Sequence, residues 1–455
     1  MQELINSINH AVSEFRDVSS ENPIIRIITH NDCDGLTSGS ILARALKRAD
    51  FQFWITTVRQ LDKKVIEQIK KEKVDIFFIL DLSCDFKIFE NIESKIFILD
   101  HHEIKNKTVP KNLIIVNPFL NQERDDDEIC GAGLTYLFAK TFDERNKDLS
   151  NLAVVGMVGD VLGGNISKIS NIILKDSDVT IKKSLPLLYT NMPISKALEF
   201  SSNLFIPGVT GSASGAIDLL RETGIEWKDR TLAELDEHEL SKLITSIVLR
   251  RINDNLDGNI EGILDNVYSL KFRDRIEDAR ELSALLNACG RLGYGDVAIE
   301  FCFGSVSARA EAEDIYRTYR NYIAEGINYI KNTDMKRESE KYIIYSCKDA
   351  VRDSVIGTIM SIMSLNSTFP QGKILVGMAN KDDGKIKVST RVSKDKNAKQ
   401  TPNNINMKEV ICEVCNNLGM DDSSGGHAQA AGCLVPIERE EEFINALENT
   451  LNKIK

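Results

Sequence analysis

Asp100, His101 and His102 stand directly after residues 96–99, a short continuous apolar run. Such a run is typical of a strand that is buried on both faces of a sheet. Because ligands of open α/β sheets bind just beyond the carboxyl ends of the strands, a carboxylate and two imidazoles at this point could carry out chemistry. The chain of 455 residues contains only six histidines, which makes an adjacent pair an informative feature.

Three further segments place acidic or histidine side chains after apolar stretches. His30, Asp32 and Asp34 follow the apolar run at 24–29, and Asp81 follows the run at 75–80. Asp160 follows a helical stretch at 152–158. If residues 30–34 are extended and a helix begins near residue 36, the first three of these side chains share a face. Gly35 would then let the backbone turn away at once. We expect all these side chains to meet in one cavity.

The chemistry that this arrangement favours is metal-assisted hydrolysis. Carboxylates crowded into one cavity repel one another, and a pair of divalent cations removes that conflict. Carboxylate and imidazole ligands suit Mn²⁺, Mg²⁺ or Zn²⁺. Two such ions about 3.5–4 Å apart can activate a water and stabilise the charge on phosphoryl oxygens, which indicates a phosphoesterase. A single aspartate of this kind is more often a helix cap or a surface ion-pair partner, but several clusters in one domain favour a metal site.

Composition narrows the class of protein. The formal net charge is −11, which argues against a protein that coats long duplexes by neutralising phosphates. Nine scattered cysteines, an odd number, argue against a disulfide framework. No apolar stretch is long enough for a membrane span, and the N-terminus lacks the pattern of a signal peptide. We therefore expect a cytoplasmic protein.

A second candidate site lies in the C-terminal part of the chain. Ser389 and Arg391 fall near the end of a predicted strand, and Gly425 and Gly426 precede His427. An arginine fork and bare backbone N–H groups both suit a phosphate. The alternative, a turn beside a closely packed Ala-Ala-Gly contact, remains open on spacing alone. The sequence has no G-x-x-x-x-G-K-[ST] motif, which argues against a nucleotide-triphosphate motor.

The elements that must position these residues form an α/β chain. Strands alternating with helices between residues 24 and 116 predict an N-terminal doubly wound parallel sheet. The spacing then becomes mostly helical, and strand patterns return after residue 341 in a smaller α/β unit. We expect three domains: a catalytic domain at 1–185, a helical insert with a connecting helix at 186–340, and a substrate-binding domain at 341–455.

The motifs resemble those of a known family. Residues 30–35, Asp81, residues 100–102 and residues 159–160 are similar to the four motifs of the DHH phosphoesterase superfamily. Residues 425–432 resemble the signature of its associated C-terminal domain. Asn31 and Gly35, together with the segment 286–291, are most similar to archaeal RecJ-like single-strand nucleases.

The resemblance implies specific roles for these residues. It implies two cations, with Mn²⁺ more strongly suggested than Mg²⁺. The ligands implied for one ion are His30, Asp32 and Asp81, and those for the other are Asp34, Asp81, His101 and Asp160. His102 would lie near the scissile phosphate, and Asp100 would orient the histidines. The residues implied to hold the substrate phosphate or terminal nucleotide are Ser389, Arg391, Gly425, Gly426 and His427.

Three functions follow as expectations. The first is an exonuclease that hydrolyses single-stranded DNA or RNA with a metal-activated water, in DNA repair or replication. The second is a phosphodiesterase for short oligoribonucleotides or cyclic dinucleotides, favoured by the acidic net charge and by the lack of a recognisable nucleic-acid-binding barrel. The third is a scaffold associated with the GINS replication complex. Metal-competent residues at every motif position argue against a scaffold without activity.

Overall fold

The computed structural model describes residues 1–18, 22–104, 108–121, 128–160, 166–187, 192–201, 204–254, 263–364, 369–393, 405–420 and 424–454, without the side chains of Asn121, Ser424 and His427. The chain forms two compact units. The first contains Met1–Ser184 and Asn266–Tyr316, and the second contains Leu185–Leu187, Met192–Asp265 and Arg317–Lys455. The division into three domains stays a prediction, and residues 266–316, assigned there to the middle region, pack within the first unit.

The first unit is built on a parallel sheet of five strands. The strands are β1 (Ile24–His30), β2 (Gln52–Val58), β3 (Ile76–Leu80), β4 (Lys95–Leu99) and β5 (Leu113–Val116), in the order β2-β1-β3-β4-β5. Phe78 and Leu80 of β3 pack into one apolar cluster, whereas Phe77 and Ile79 pack into another. Because successive strand residues point to opposite faces, the sheet is covered on both sides, and the predicted doubly wound sheet is confirmed.

Six helices accompany this sheet. They are α1 (Gln2–Val18), α2 (Cys33–Arg48), α3 (Lys63–Lys71), α4 (Gly131–Phe142), α5 (Ser150–Asp160) and α6 (Lys168–Asp176). Helices α1, α2 and α4 pack on one face, α5 packs on α2 and α4, and the apolar residues of α3 cover the other face. The stretch at 152–158 is helical as expected, and Asp160 is the last residue of its helix.

The prediction that residues 30–34 are extended, with a helix beginning near residue 36, is wrong. Helix α2 begins at Cys33, because Asp32 Oδ1 accepts the N–H of Gly35 at 3.0 Å and caps the helix. Asp34 therefore lies in the first helical turn. Gly35 is needed for close approach rather than for a turn, since a Cβ at this position would lie 2.3 Å from the carbonyl oxygen of His30.

The middle of the chain is mostly helical, as expected, but it also contributes a small sheet. Its helices are α7 (Ile194–Glu199), α8 (Ala213–Thr223), α9 (Glu237–Asn253), α10 (Ala279–Leu292), α11 (Gly295–Phe303) and α12 (Val306–Asn332). The strands β6 (Thr180–Ser184), β7 (Asp265–Phe272) and β8 (Arg275–Asp278) form a sheet in the order β6-β7-β8. Most of β6 is exposed and two of its residues are lysines, so it lacks the apolar pattern that signals a strand.

The C-terminal part of the second unit is a six-stranded sheet with helices. The strands are β9 (Lys336–Glu338), β10 (Tyr342–Ser346), β11 (Ile374–Asn380), β12 (Lys385–Val392), β13 (Ser424–His427) and β14 (Ala430–Pro436), in the order β13-β14-β12-β11-β10-β9. The helices are α13 (Asp353–Ser364), α14 (Met407–Asn417) and α15 (Glu440–Lys453). Within the described residues, no helix has both the length and the apolar character that crossing a membrane requires.

Candidate metal centre

The strand register brings the predicted site residues to one level of the first sheet. Thr29 of β1 pairs with Leu80 of β3, which pairs with Leu99 of β4. The residues that follow these three are His30, Asp81 and Asp100. They therefore emerge side by side at the carboxyl edge of the sheet, where open α/β folds bind their ligands.

Asp81 lies at the centre of the cluster. Its φ of 54° falls in the left-handed region, which aspartate tolerates better than most residues. Its carboxylate stands between two histidines: Oδ2 lies 3.4 Å from His30 Nδ1, and Oδ1 lies 3.3 Å from His101 Nε2. The side chain is buried, and Oδ1 has no hydrogen-bond partner among the described residues.

One potential ligand group combines His30, Asp32 and Asp81. His30 ends β1, and Asp32 caps α2. The two are close, with His30 Nδ1 at 3.0 Å from Asp32 Oδ1. Nevertheless, this buried nitrogen has no contact of hydrogen-bond geometry within the described part of the chain. A cation in this group would give the His30 nitrogen a partner, and a cation beside His101 would do the same for Oδ1 of Asp81.

A second potential ligand group combines Asp34, His101 and Asp160. Asp34 is buried in the first turn of α2, and Asp160 ends α5. His101 Nε2 lies 3.8 Å from Asp34 Oδ2 and 3.4 Å from Asp160 Oδ2. Because the same nitrogen also approaches Asp81, the two ligand groups adjoin one another.

His102 is held differently from its neighbour. Its Nδ1 lies 2.7 Å from Asp100 Oδ1, and its backbone N–H donates to Asp100 Oδ2 at 3.2 Å. Asn117, which follows β5, donates through Nδ2 to the same Oδ2 at 3.3 Å. Among the described residues no hydrogen bond joins Asp100 to His101. Asp100 is thus placed to orient His102, whereas both histidines were expected to depend on it.

The electrostatics of the cluster reflect crowded negative charge. Burial and the neighbouring Asp81 carboxylate raise the pKa of Asp34, and burial together with the charge of Asp32 raises that of Asp81. Burial and Asp34 raise the pKa of Asp160 to about 6. Burial alone would lower the pKa of His101, but Asp81 and Asp34 raise it to about 10. Without a cation, protons must therefore compensate this charge.

The residues present fit divalent cations. Three ligand groups overlap through Asp81 and His101, and within each group the potential ligand atoms all lie within 4.8 Å of one another. The donors are carboxylate oxygens and imidazole nitrogens, which suit Mn²⁺ and Mg²⁺. Buried donor atoms without hydrogen-bond partners are the further indication that a positive ion belongs here.

Comparison with protein families matches the chain over most of its length. The model of the DHH family N-terminal domain matches residues 24–159, and that of the DHHA1 domain matches residues 339–453. The model of archaeal Cdc45 matches residues 164–381. The exonuclease RecJ bound to manganese has the same fold, with a TM-score of 0.60 at 16% identity, covering 99% of this chain and 95% of that one. The chain therefore contains a DHH domain and a DHHA1 domain, and it has the fold of RecJ.

Other relatives differ in how much of their length matches this chain. A protein of Methanocaldococcus jannaschii is 28% identical, covering 99% of this chain and 98% of the relative. A Bacillus subtilis protein named as a prophage-derived single-strand DNA-specific exonuclease is 26% identical over 34% of this chain and 29% of its own length. The crystal structure of Cdc45 from Entamoeba histolytica has a TM-score of 0.64 at 12% identity and covers 99% of both chains.

The predicted phosphate-binding residues lie in the second unit. Across β13, β14 and β12, Gly425 pairs with Gly432, which pairs with Ser389. In a second row across the same three strands, His427 pairs with Ala430, which pairs with Arg391. The backbone therefore brings the predicted residues into two rows of one sheet, separated by the row of Gly426, which has a φ of 132°. The His427 side chain lies outside the described residues.

Arg391 is oriented by its neighbours. Its Nε donates to Ser361 Oγ at 2.8 Å, and its Nη1 donates to the carbonyl oxygen of Thr390 at 2.7 Å. Ser389 is buried beside it, and a Cβ at Gly357 would lie 3.3 Å from the Ser389 hydroxyl. Helix α13, which contains Gly357, thus packs directly against Ser389 of the predicted phosphate clamp, which is the set of residues Ser389, Arg391, Gly425, Gly426 and His427.

Two features of the site were not found by reasoning from the sequence. The backbone N–H groups of Gly131 and Ala132 donate to the Asp34 carboxylate, and Asn117 supports Asp100. Asn117 follows a strand like the other site residues, so the strand-end pattern could have identified it.

Proposed function

We propose that this RecJ-like protein is a divalent-metal-dependent exonuclease that hydrolyses phosphodiester bonds of single-stranded DNA or RNA from an end. The observation that supports this most is the placement of Asp81. Its buried carboxylate belongs both to the group with His30 and Asp32 and to a group with His101 and His102. A carboxylate shared between ligand groups is what a pair of cations requires.

The proposed ligands follow from the groups in the cluster. One ion would be held by His30, Asp32 and Asp81, and the other by Asp34, Asp81, His101 and Asp160, with Mn²⁺ or Mg²⁺ as the metal. When bound, the ions supply Lewis acidity, which lowers the pKa of a water and neutralises charge on a phosphoryl group.

His102 is the proposed substrate contact in the first unit. Asp100 occupies its Nδ1, which leaves Nε2 as the ring atom able to reach a phosphate oxygen or to carry a proton. The His102 side chain is also more exposed than that of His101, at 31% against 17%. We therefore assign His102 to the reacting phosphate and Asp100 to its orientation.

The second unit supplies the proposed binding of the terminal phosphate or nucleotide. Ser389 and Arg391 offer a hydroxyl and a guanidinium, while Gly425, Gly426 and His427 offer backbone N–H groups and an imidazole. The strand register that aligns these residues supports a shared role. Charge-assisted bonds of this type are among the stronger polar contacts in proteins.

The activity can be tested with end-labelled strands. We expect Mn²⁺-dependent release of nucleotides from a single strand, with little from a duplex, and loss of this release in Asp81→Asn. Asp218→Asn is the matched control, because Asp218 is exposed and pairs with Arg221 at the surface. Equal cleavage by Asp81→Asn and the wild type would exclude the proposed site.

A second enzymatic candidate keeps the site and changes the substrate to short oligoribonucleotides or cyclic dinucleotides. The net charge of −11 favours it, since long polyanions would be repelled overall. Turnover of a dinucleotide and of a long single strand should be compared on the same preparation, with matched DNA and RNA. Faster turnover of the dinucleotide would support this second candidate function.

A candidate from another class is a component of a replication complex, with or without nuclease activity. The match of residues 164–381 to archaeal Cdc45 supports it. The test is co-purification of the full chain with the GINS complex from cells that contain both. Stable co-purification of both the wild type and Asp81→Asn would indicate docking that is independent of catalysis.

A further inference from the structure

The carboxylate of Asp34 is held from outside its own helix. Its Oδ2 accepts the N–H of Gly131 at 2.7 Å, and its Oδ1 accepts the N–H of Ala132 at 2.8 Å. The two donors are consecutive amides in the first turn of α4, a helix of 12 residues, where the helix dipole also favours a negative group. Each oxygen accepts one backbone amide, the Cys130 thiol also hydrogen-bonds to this carboxylate, and lone pairs remain for a cation.

Two glycines make these hydrogen bonds to Asp34 possible. A Cβ at Gly131 would lie 2.8 Å from Asp81 Cβ and 3.0 Å from Asp34 Oδ2. A Cβ at Gly156, on α5, would lie 2.5 Å from Ala132 Cβ and 3.1 Å from Asp34 Oδ1. Helix α5 thus supports the first turn of α4, and α4 in turn holds Asp34. A side chain at either glycine would displace the amide donors, the carboxylate, or both.

We infer that the first turn of α4, supported by Gly156, is a positioning device that controls one cation subsite separately from the other. The controlled subsite is the group of Asp34, His101 and Asp160, because Asp34 is the member held by α4. The group of His30, Asp32 and Asp81 receives no hydrogen bond from α4 among the described residues. This inference rests on the proposed two-cation site and deepens it.

The two glycines should affect the subsites differently. The nearest carboxylate atom to a Cβ at Gly156 belongs to Asp34, so a methyl group there should disturb the subsite of Asp34. Gly131 approaches both carboxylates, so a methyl group there should disturb both subsites. Partners that orient a metal ligand typically contribute about ten- to hundred-fold in metal affinity, which sets the size of the expected effect.

The experiment is a titration of the full-length, metal-free protein with Mn²⁺. Calorimetry measures the heat of binding, and electron paramagnetic resonance measures the free ion. The wild type should bind two equivalents. Gly156→Ala should keep one equivalent at wild-type affinity and bind the other about ten- to hundred-fold more weakly. Gly131→Ala should weaken both equivalents.

Gly133→Ala is the matched control on the same helix. The three atoms nearest to a Cβ at Gly133 all belong to the aliphatic side chains of Ile129 and Ile173, at 2.7–3.1 Å. It should bind two equivalents as the wild type does. Loss of an equivalent in this control would assign the effect to general helix packing and overturn the inference.

A second variant covers the case in which Gly156→Ala does not fold, because its Cβ would also lie 2.4 Å from Thr37 Oγ1. Ala132→Pro removes the amide that Asp34 Oδ1 accepts, and proline is tolerated in the first turn of a helix. It should weaken the same single equivalent. Folded Gly156→Ala or Ala132→Pro protein that binds both equivalents like the wild type would refute the inference.

The outcomes also separate the inference from the proposed activity. A wild type that binds two Mn²⁺ ions but cleaves no nucleic acid would contradict the exonuclease and leave the positioning role intact. A wild type that binds fewer than two ions would overturn the two-cation site and the positioning role together.

Discussion

Single residues in this protein are placed for cation binding at the expense of stability in the metal-free state. Asp81 is the clearest case, because it combines a left-handed backbone, a buried side chain and an oxygen without a hydrogen-bond partner among the described residues. Burying a carboxylate near other carboxylates is unfavourable unless a positive charge compensates it. Function and stability therefore oppose each other at this position.

Asp81→Asn should make the metal-free protein more stable and remove its stabilisation by Mn²⁺. Asparagine tolerates the left-handed backbone and carries no charge, so we expect a gain of about 1 kcal/mol in the free energy of unfolding in chelator. The wild type should gain about 2.7 kcal/mol when Mn²⁺ is at one hundred times its Kd, and the variant much less. Urea unfolding with and without Mn²⁺ measures both. A variant that responds to Mn²⁺ like the wild type would contradict this role, and Asp218→Asn should behave like the wild type throughout.

His102→Ala should separate catalysis from metal binding. We expect two bound Mn²⁺ ions and a kcat lower by about 10²–10⁴, the range typical for loss of a positioned acid, base or phosphate contact. Asp100→Asn should lower kcat as well, since it changes the partner that orients His102. Loss of one Mn²⁺ equivalent in His102→Ala would instead make this histidine a ligand, as its proximity to Asp81 permits.

At the scale of elements, strand β1, which ends at the metal site, also holds one member of a buried ion pair that lies outside the site. Arg26 on β1 donates through Nε to Glu72 Oε2 at 2.9 Å and through Nη2 to Thr56 Oγ1 at 2.9 Å. The guanidinium lies over the ring of Trp54, and its buried Nη1 has no hydrogen-bond partner among the described residues. Such a pair contributes little net stability, but removing one member leaves an uncompensated charge.

Glu72→Ala should therefore destabilise the protein by about 3 kcal/mol. Adding Arg26→Met removes the uncompensated charge, and the double variant should recover most of that loss. Urea unfolding of the wild type, the two single variants and the double variant gives the four free energies of this double-mutant cycle. Mn²⁺ stoichiometry should be unchanged in all three, because Arg26 lies four residues before His30 on β1. An additive cycle would show that the pair is not coupled.

At the scale of the whole molecule, the cation ligands belong to the first unit and the proposed phosphate clamp to the second. The two functions should accordingly respond to different substitutions. Arg391→Ala should leave Mn²⁺ binding unchanged and raise KM by about ten- to hundred-fold, since a hydrogen bond to a charged group contributes about 1.5–3 kcal/mol. Arg391→Lys should recover only part of the loss, because lysine keeps the charge but not the fork.

Kinetics with a single-stranded substrate and calorimetry with Mn²⁺ check this division. Ser389→Ala should move KM in the same direction and to a smaller extent, because a neutral donor is weaker than a charged one. A fall in Mn²⁺ affinity in Arg391→Ala would mean that the clamp residue also supports the cation site.

Much of the first domain could be predicted from the sequence because the information is local. The apolar runs of β1, β3 and β4 identify buried strands, and parallel strands of one sheet end at one edge. From this alone, His30, Asp81 and residues 100–102 were expected to meet, and the structure brings them together. The small sheet was not predicted, because β6 is exposed and becomes a strand by pairing with β7.

The sequence by itself determined the chemical types at the site and the elements that end there, because periodicity and turn chemistry act over a few residues. Only the tertiary structure decided how Asp34 is held. Its carboxylate bonds to the amide of Gly131, which is 97 positions away, and Gly156 from a third helix supports that contact. Close packing of distant helices leaves no local signature, so folding the chain was required to reveal that one cation ligand is positioned by another helix.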